Sequence, residues 1–141
     1  MSTWDTDKRV AFGLQKEKEL LPTIEASVGC KLTKTADTYD LVDWEGPGVV
    51  VELKARRAYD AYGWPQHHKR FASWLFPTHK EKAFGRAEKA ILFYYFAADD
   101  TLWRLDYDPA VFKDIEKEVP EWHRQYQEHW YIPSDLWKRV V

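Results

Sequence analysis

Cysteine is almost absent from this chain. Cys30 stands alone, which excludes an intrachain disulfide and a cysteine zinc cluster. No apolar run approaches the roughly 20 residues of a membrane-spanning helix, and the N-terminus lacks a signal-peptide hydrophobic region. A cytoplasmic protein without a membrane partner is therefore the expectation. Repeats, low-complexity tracts and linkers are missing as well. The 141 residues are expected to form one domain, residues 1–141, long enough for a single packed core. There is no glycine-rich phosphate loop, dinucleotide fingerprint or nucleophile elbow. His67, His68, His79, His123 and His129 match no zinc spacing, so zinc is not expected.

What the chain does contain is apolar and aromatic. Hydrophobic residues make up 45% and aromatics 16%, which excludes a disordered chain. The net charge of −2 conceals a segregation. Residues 54–89 hold nine Lys/Arg against three Asp/Glu, whereas 1–53 and 90–141 each hold six against ten. The basic block includes Arg56, Arg57, Lys69, Arg70, Lys80, Lys82, Arg86 and Lys89, interleaved with Tyr59, Tyr62, Trp64, Phe71, Trp74 and Phe76. Cations neutralise phosphates and aromatic faces stack on bases, so the mixture suits nucleic acid. A solvated helix face with some of the aromatics in the core is the plainer explanation.

Asp5 or Thr6 is positioned to cap a first helix running to about Leu21, where Pro22 ends or kinks it. Val10, Leu14, Leu21 and Ile24 fall on one face of it. Strands are expected near 31–35, at 39–42, at 49–54, at 90–96 and at 101–105, the last pair joined by an Asp99-Asp100 turn. One or two basic, aromatic helices are expected between about Trp64 and Lys89, interrupted near Pro77. Pro109, capped by Asp108, starts a helix to roughly Val119. The tail, with Trp122, Trp130 and Trp137, is expected to pack over the sheet. This order predicts an α/β layered domain, a central mixed sheet flanked by helices.

The most informative stretch is Val49-Val50-Val51-Glu52-Leu53-Lys54. Strand side chains alternate, so Glu52 and Lys54 share one face while Val51 and Leu53 share the other. Arg56 continues the charged face. Tyr39-Asp40-Leu41-Val42 reads as a second strand, joined through Glu45-Gly46-Pro47-Gly48, a turn by composition. Such a hairpin brings a second carboxylate beside Glu52. Two carboxylates with an adjacent lysine can hold a hard divalent cation and activate a water against a phosphodiester. Asp40 and Asp43 lie three apart and so on opposite strand faces; the hairpin register selects one and excludes the other.

An aspartate in a short apolar strand, a turn, and then Glu52-Leu53-Lys54 in the next apolar strand resemble the PD-(D/E)XK nuclease superfamily. Tyr39 stands where the family's proline would be. The resemblance favours Asp40 over Asp43. It also gives a role to Glu17, an acid on the apolar stripe of the first helix, because that helix often contributes a glutamate to the metal site; Glu19 and Glu25 are weaker substitutes. On this resemblance Asp40, Glu52, Glu17 and the backbone carbonyl of Leu53 would hold Mg²⁺, with Mn²⁺ as a substitute. Lys54 would orient or help deprotonate the attacking water, leaving a 5′-phosphate. Arg56, Arg57, Lys69, Arg70, Lys80 and Lys82 would contact DNA, double-stranded or branched rather than RNA. Lys80 and Lys82 match a basic residue that such enzymes sometimes present from the following helix, and a homodimer would place two sites on two strands. The rivals are a non-catalytic nucleic-acid-binding module and an interaction domain built on surface tryptophans.

Overall fold

The computed structural model describes residues 3–35, 42–56, 66–68, 71–85, 87–119 and 128–141. The first helix, α1 (Thr3–Val28), continues past Pro22 rather than ending there. An interior proline costs about 3 kcal/mol, but burying Ile24 alone returns roughly 1.5–3 kcal/mol. Ile24 is fully buried, and Leu20, Leu21 and Val28 pack against the same core. The helix ends at Gly29, whose φ of +90 lets its amide turn back onto the Glu25 carbonyl at 2.8 Å. The core-facing row is Phe12, Leu20, Ile24 and Val28, separated by eight, four and four residues, with Ile24 fully buried and the rest partly so, whereas Leu14 is exposed.

Next come β1 (Thr33–Lys34), β2 (Trp44–Gly46) and β3 (Val49–Arg56), an antiparallel meander. Glu45 and Gly46, expected in the turn, belong to β2. The turn is Pro47-Gly48 alone, with Gly48 at φ +69, the pattern of proline followed by a left-handed glycine that a type II turn uses. The expected strand at 39–42 lies, except for Val42, outside the described residues.

Residues expected to be helical between Trp64 and Lys89 instead form β4 (Gln66–His68) and β5 (Phe71–Pro77). A short 3₁₀ turn, Thr78–Lys80, and one turn of helix, α2 (Glu81–Phe84), follow. A short aromatic run does not distinguish helix from strand by itself. Pairing of β5 with a strand near the C-terminus decides it. Then come β6 (Lys89–Phe96), β7 (Thr101–Asp106), α3 (Pro109–Phe112), β8 (Lys117–Glu118), β9 (His129–Pro133) and β10 (Lys138–Arg139). Asp108 caps α3 as expected, accepting from the Ala110 amide at 3.0 Å. The helix stops at Phe112 because Lys117 and Glu118 are drawn into pairing with β9.

Two sheets result, in the orders β1-β2-β3-β6-β7-β10 and β4-β5-β9-β8. Among the described strands only β3 and β6 pair in parallel, at the centre of the larger sheet, which is therefore mixed. β6 is buried on both faces. Its Ala90, Leu92, Tyr94 and Phe96 meet Trp74, Phe76, Trp130 and Ile132 of the smaller sheet. Its Ile91, Phe93 and Tyr95 meet α1 on the other side. The fold is α/β as expected, but a helix covers one face of the central sheet and a second sheet covers the other. Among the described helices none is long and apolar enough to cross a membrane.

Candidate active site

Asp43 reaches Glu52 from the end of the β2–β3 ladder. Gly46 pairs with Val49, Glu45 with Val50 and Trp44 with Val51. The ladder ends at that last pair: the Asp43 amide also donates to the Val51 carbonyl, at 3.0 Å, and Val42 packs on the Glu52 side of the sheet while Trp44 packs on the other, so the chain bulges at Asp43. From the bulge the Asp43 carboxyl lies within electrostatic and hydrogen-bonding reach of Glu52. The favoured Asp40 lies outside the described residues. The Leu53 amide donates to Asp43 Oδ2 at 2.8 Å and fixes its orientation. Leu53 enters the site through this backbone group, while its side chain lies in the core beneath α1.

Glu52 is 3% exposed. Its Oε1 is 3.1 Å from Lys80 Nζ, and its Oε2 is buried without a hydrogen-bond partner. Burial pushes the Glu52 carboxyl above its ordinary range, opposed by the charges of Lys80 and Lys54. Burial, and then the neighbouring charge of Glu52, push Asp43 up to about 6. Glu17 reaches in from α1 to hydrogen-bond the Asp43 carboxyl, and its other contact is Lys34 Nζ at 3.0 Å. Burial and the Asp43 charge raise Glu17 as well. The weaker α1 candidates have structural duties. Glu25 Oε2 accepts from the Leu32 amide at 2.8 Å, and Glu19 pairs with Lys16 at 2.8 Å.

Lys54 lies on the Glu52 face, its ammonium 5.9 Å from the centre of the Phe76 ring. Burial holds its pKa below the ordinary lysine value, and Arg56 and Lys80 add to that effect against the pull of Glu52 and Asp43. Arg56, two residues on, donates through Nε to Tyr94 Oη at 3.0 Å and stacks over that ring at 5.6 Å. Tyr94 Oη in turn donates to the Leu75 carbonyl at 3.1 Å. No sequence signal marked Tyr94; it stands beside Lys54 because β3 and β6 pair in parallel. His79, considered above only for zinc, lies within electrostatic reach of Lys80 and Lys54, and burial followed by those charges lowers its pKa.

Of the other expected nucleic-acid contacts, Lys82 is exposed on α2. Arg57, Lys69 and Arg70 lie outside the described residues. Trp74 and Phe76 belong to the core between the sheets and are not available to stack on bases. Trp44, Trp130 and Trp137 are buried too, so none of these three offers the surface that the tryptophan interaction reading required.

The arrangement is two facing carboxylates, a third touching one of them, and three cations along the same face. Among the described residues no group of three or more His, Cys, Asp or Glu is arranged to hold a metal ion. The chain matches no known protein-family model, no curated protein and no solved structure.

Proposed function

We propose that this chain is a Mg²⁺-dependent DNA nuclease of the PD-(D/E)XK type, with Asp43 and Glu52 as its paired acids. The observation that carries the reading is the Asp43–Glu52 pair beside Lys54 and Lys80, with Glu52 Oε2 buried and without a hydrogen-bond partner. A buried carboxylate oxygen without a partner is costly, and a cation at the pair would satisfy it. The partial donor set suits Mg²⁺ in particular. That ion keeps several waters and is held through one or two carboxylates plus substrate phosphate, without a complete protein cage.

Asp43 and Glu52 would hold the ion, with Glu17 steadying Asp43. When bound, such an ion acidifies water and offsets charge on phosphate. Lys54 has the position and the depressed pKa to orient the attacking water and shuttle its proton. Arg56, held by Tyr94, would fix a neighbouring phosphate oxygen. The helix that precedes the sheet brings Glu17 beside Asp43, which supports the contribution that the resemblance implies for it.

The test is incubation with supercoiled, linear, single-stranded and branched DNA in Mg²⁺, Mn²⁺, Ca²⁺ or EDTA. Mg²⁺-dependent scission that disappears in Glu52→Gln is expected, with folding intact. Asp43→Asn and Asp40→Asn run in parallel decide between the two aspartates, and Asp43→Asn is expected to be the inactive one. Wild-type scission by Glu52→Gln would remove the site. Metal-independent DNA binding without scission would establish a non-catalytic binding module.

A further inference from the structure

Lys80 approaches the acid pair from outside the strands that carry it. It ends the Thr78–Lys80 turn that leads out of β5, yet its ammonium is 3.1 Å from Glu52 Oε1. Both partners are mostly enclosed, the lysine side chain 15% exposed and the glutamate 4%. The same ammonium also acts electrostatically on Asp43, Lys54 and His79. Lys54 acts on the same carboxylates, but the one ammonium in contact with Glu52 satisfies only one of its oxygens, leaving Oε2 without a hydrogen-bond partner.

Charge and shape both make this contact replaceable. Two facing carboxylates cannot both remain ionised in an enclosed site without a positive neighbour. Lysine supplies a compact point charge on a flexible four-carbon stem, not the rigid fork of arginine. A divalent ion at the same acids would repel the ammonium and bind both carboxylates.

We propose that Lys80 is a resident counter-ion: it occupies the acid pair while the site is metal-free and yields its place when a divalent cation enters. The inference rests on the metal-site reading above and adds a regulatory element to it. Lys80 and the metal compete for Glu52, so the metal binds weakly to the free protein. The released ammonium remains on the charged face, where it is available to a DNA phosphate. Bound DNA and bound metal thereby favour one another, as coupled ligands must.

The experiment is a Ca²⁺ titration of the full chain by calorimetry, paralleled by Tb³⁺ luminescence excited through the protein's tryptophans. It compares wild type, Lys80→Met and Lys113→Met, the last removing an exposed lysine from α3's C-terminal cap. Lys80→Met is expected to bind at least about tenfold more tightly than wild type, a difference of about 1.4 kcal/mol, with Lys113→Met unchanged. Equal or weaker binding by Lys80→Met would make the pair purely structural and overturn the counter-ion role, leaving the metal site standing. Absence of binding in wild type and Lys80→Met by both methods would overturn the site and the role together. Because Lys80→Met leaves Glu52 without its partner, thermal unfolding with and without Ca²⁺ is measured too, and in Lys80→Gln. Ca²⁺ is expected to raise the Tm of both variants more than that of wild type; equal shifts would again reject the proposal.

Discussion

The Leu53 amide donates to Asp43 Oδ2 at 2.8 Å, so the strand that carries Glu52 also aims the carboxylate opposite it. This bond does more than orient. It supplies one of the few favourable contacts to a charge that burial and Glu52 both oppose. The backbone holds Asp43 in place, and the nearby cations oppose the neutralisation of the pair that burial favours.

Asp43 should make the protein less stable as pH rises. Its folded pKa of about 6 lies above the ordinary 3.8, so the folded state holds the proton more tightly. That contribution is complete below about pH 3.8 and is lost as pH climbs through about 6, by at most about 3 kcal/mol. Glu52 is shifted in the same direction. Asp43→Asn keeps an acceptor for the Leu53 amide and removes the charge. It should gain about 1–3 kcal/mol at pH 7.5 and little at pH 4. Urea unfolding of both proteins across this range checks it; an unchanged pH slope in the variant would refute the assignment.

Lys54 should be separable from binding. Lys54→Ala is expected to retain Ca²⁺ and DNA affinity while single-turnover cleavage falls by about 10²-fold or more. Lys54→Arg should not restore the rate, because a guanidinium does not release its proton at accessible pH. Full activity in the arginine variant would reduce Lys54 to a phosphate contact.

Tyr94 links the charged face to the core, accepting from Arg56 and donating to the buried Leu75 carbonyl. Tyr94→Phe should therefore cost about 1–3 kcal/mol of stability by leaving that carbonyl unsatisfied. Its effect on DNA should be smaller than that of Arg56→Ala, which loses a phosphate contact and flattens the salt slope by roughly one. DNA affinity at two salt concentrations distinguishes them. A Tyr94→Phe protein with wild-type stability would show that the tyrosine hydroxyl is not structurally engaged.

What the sequence determined by itself is what depends on neighbours in the chain. Strand alternation places Glu52, Lys54 and Arg56 on one face whatever surrounds them. Asp108-Pro109 starts a helix through its own backbone geometry, and the apolar run at 90–96 is a strand buried on both sides. Glu17 sits on the apolar face of α1 because helical spacing puts it three residues before Leu20 and seven before Ile24. Tertiary structure decided the rest, because the competing local preferences were nearly balanced. Asp43 meets Glu52 because the chain bulges just beyond the Trp44–Val51 pair, a break in alternation that no local pattern marks. The aromatic stretch at 71–77 is a strand because residues 129–133, far along the chain, pair with it. α1 passes Pro22 because Ile24 and Val28 have a core to enter. Lys80 reaches Glu52 only because that second sheet folds over the first, bringing a cation to an acid 28 residues earlier in the chain.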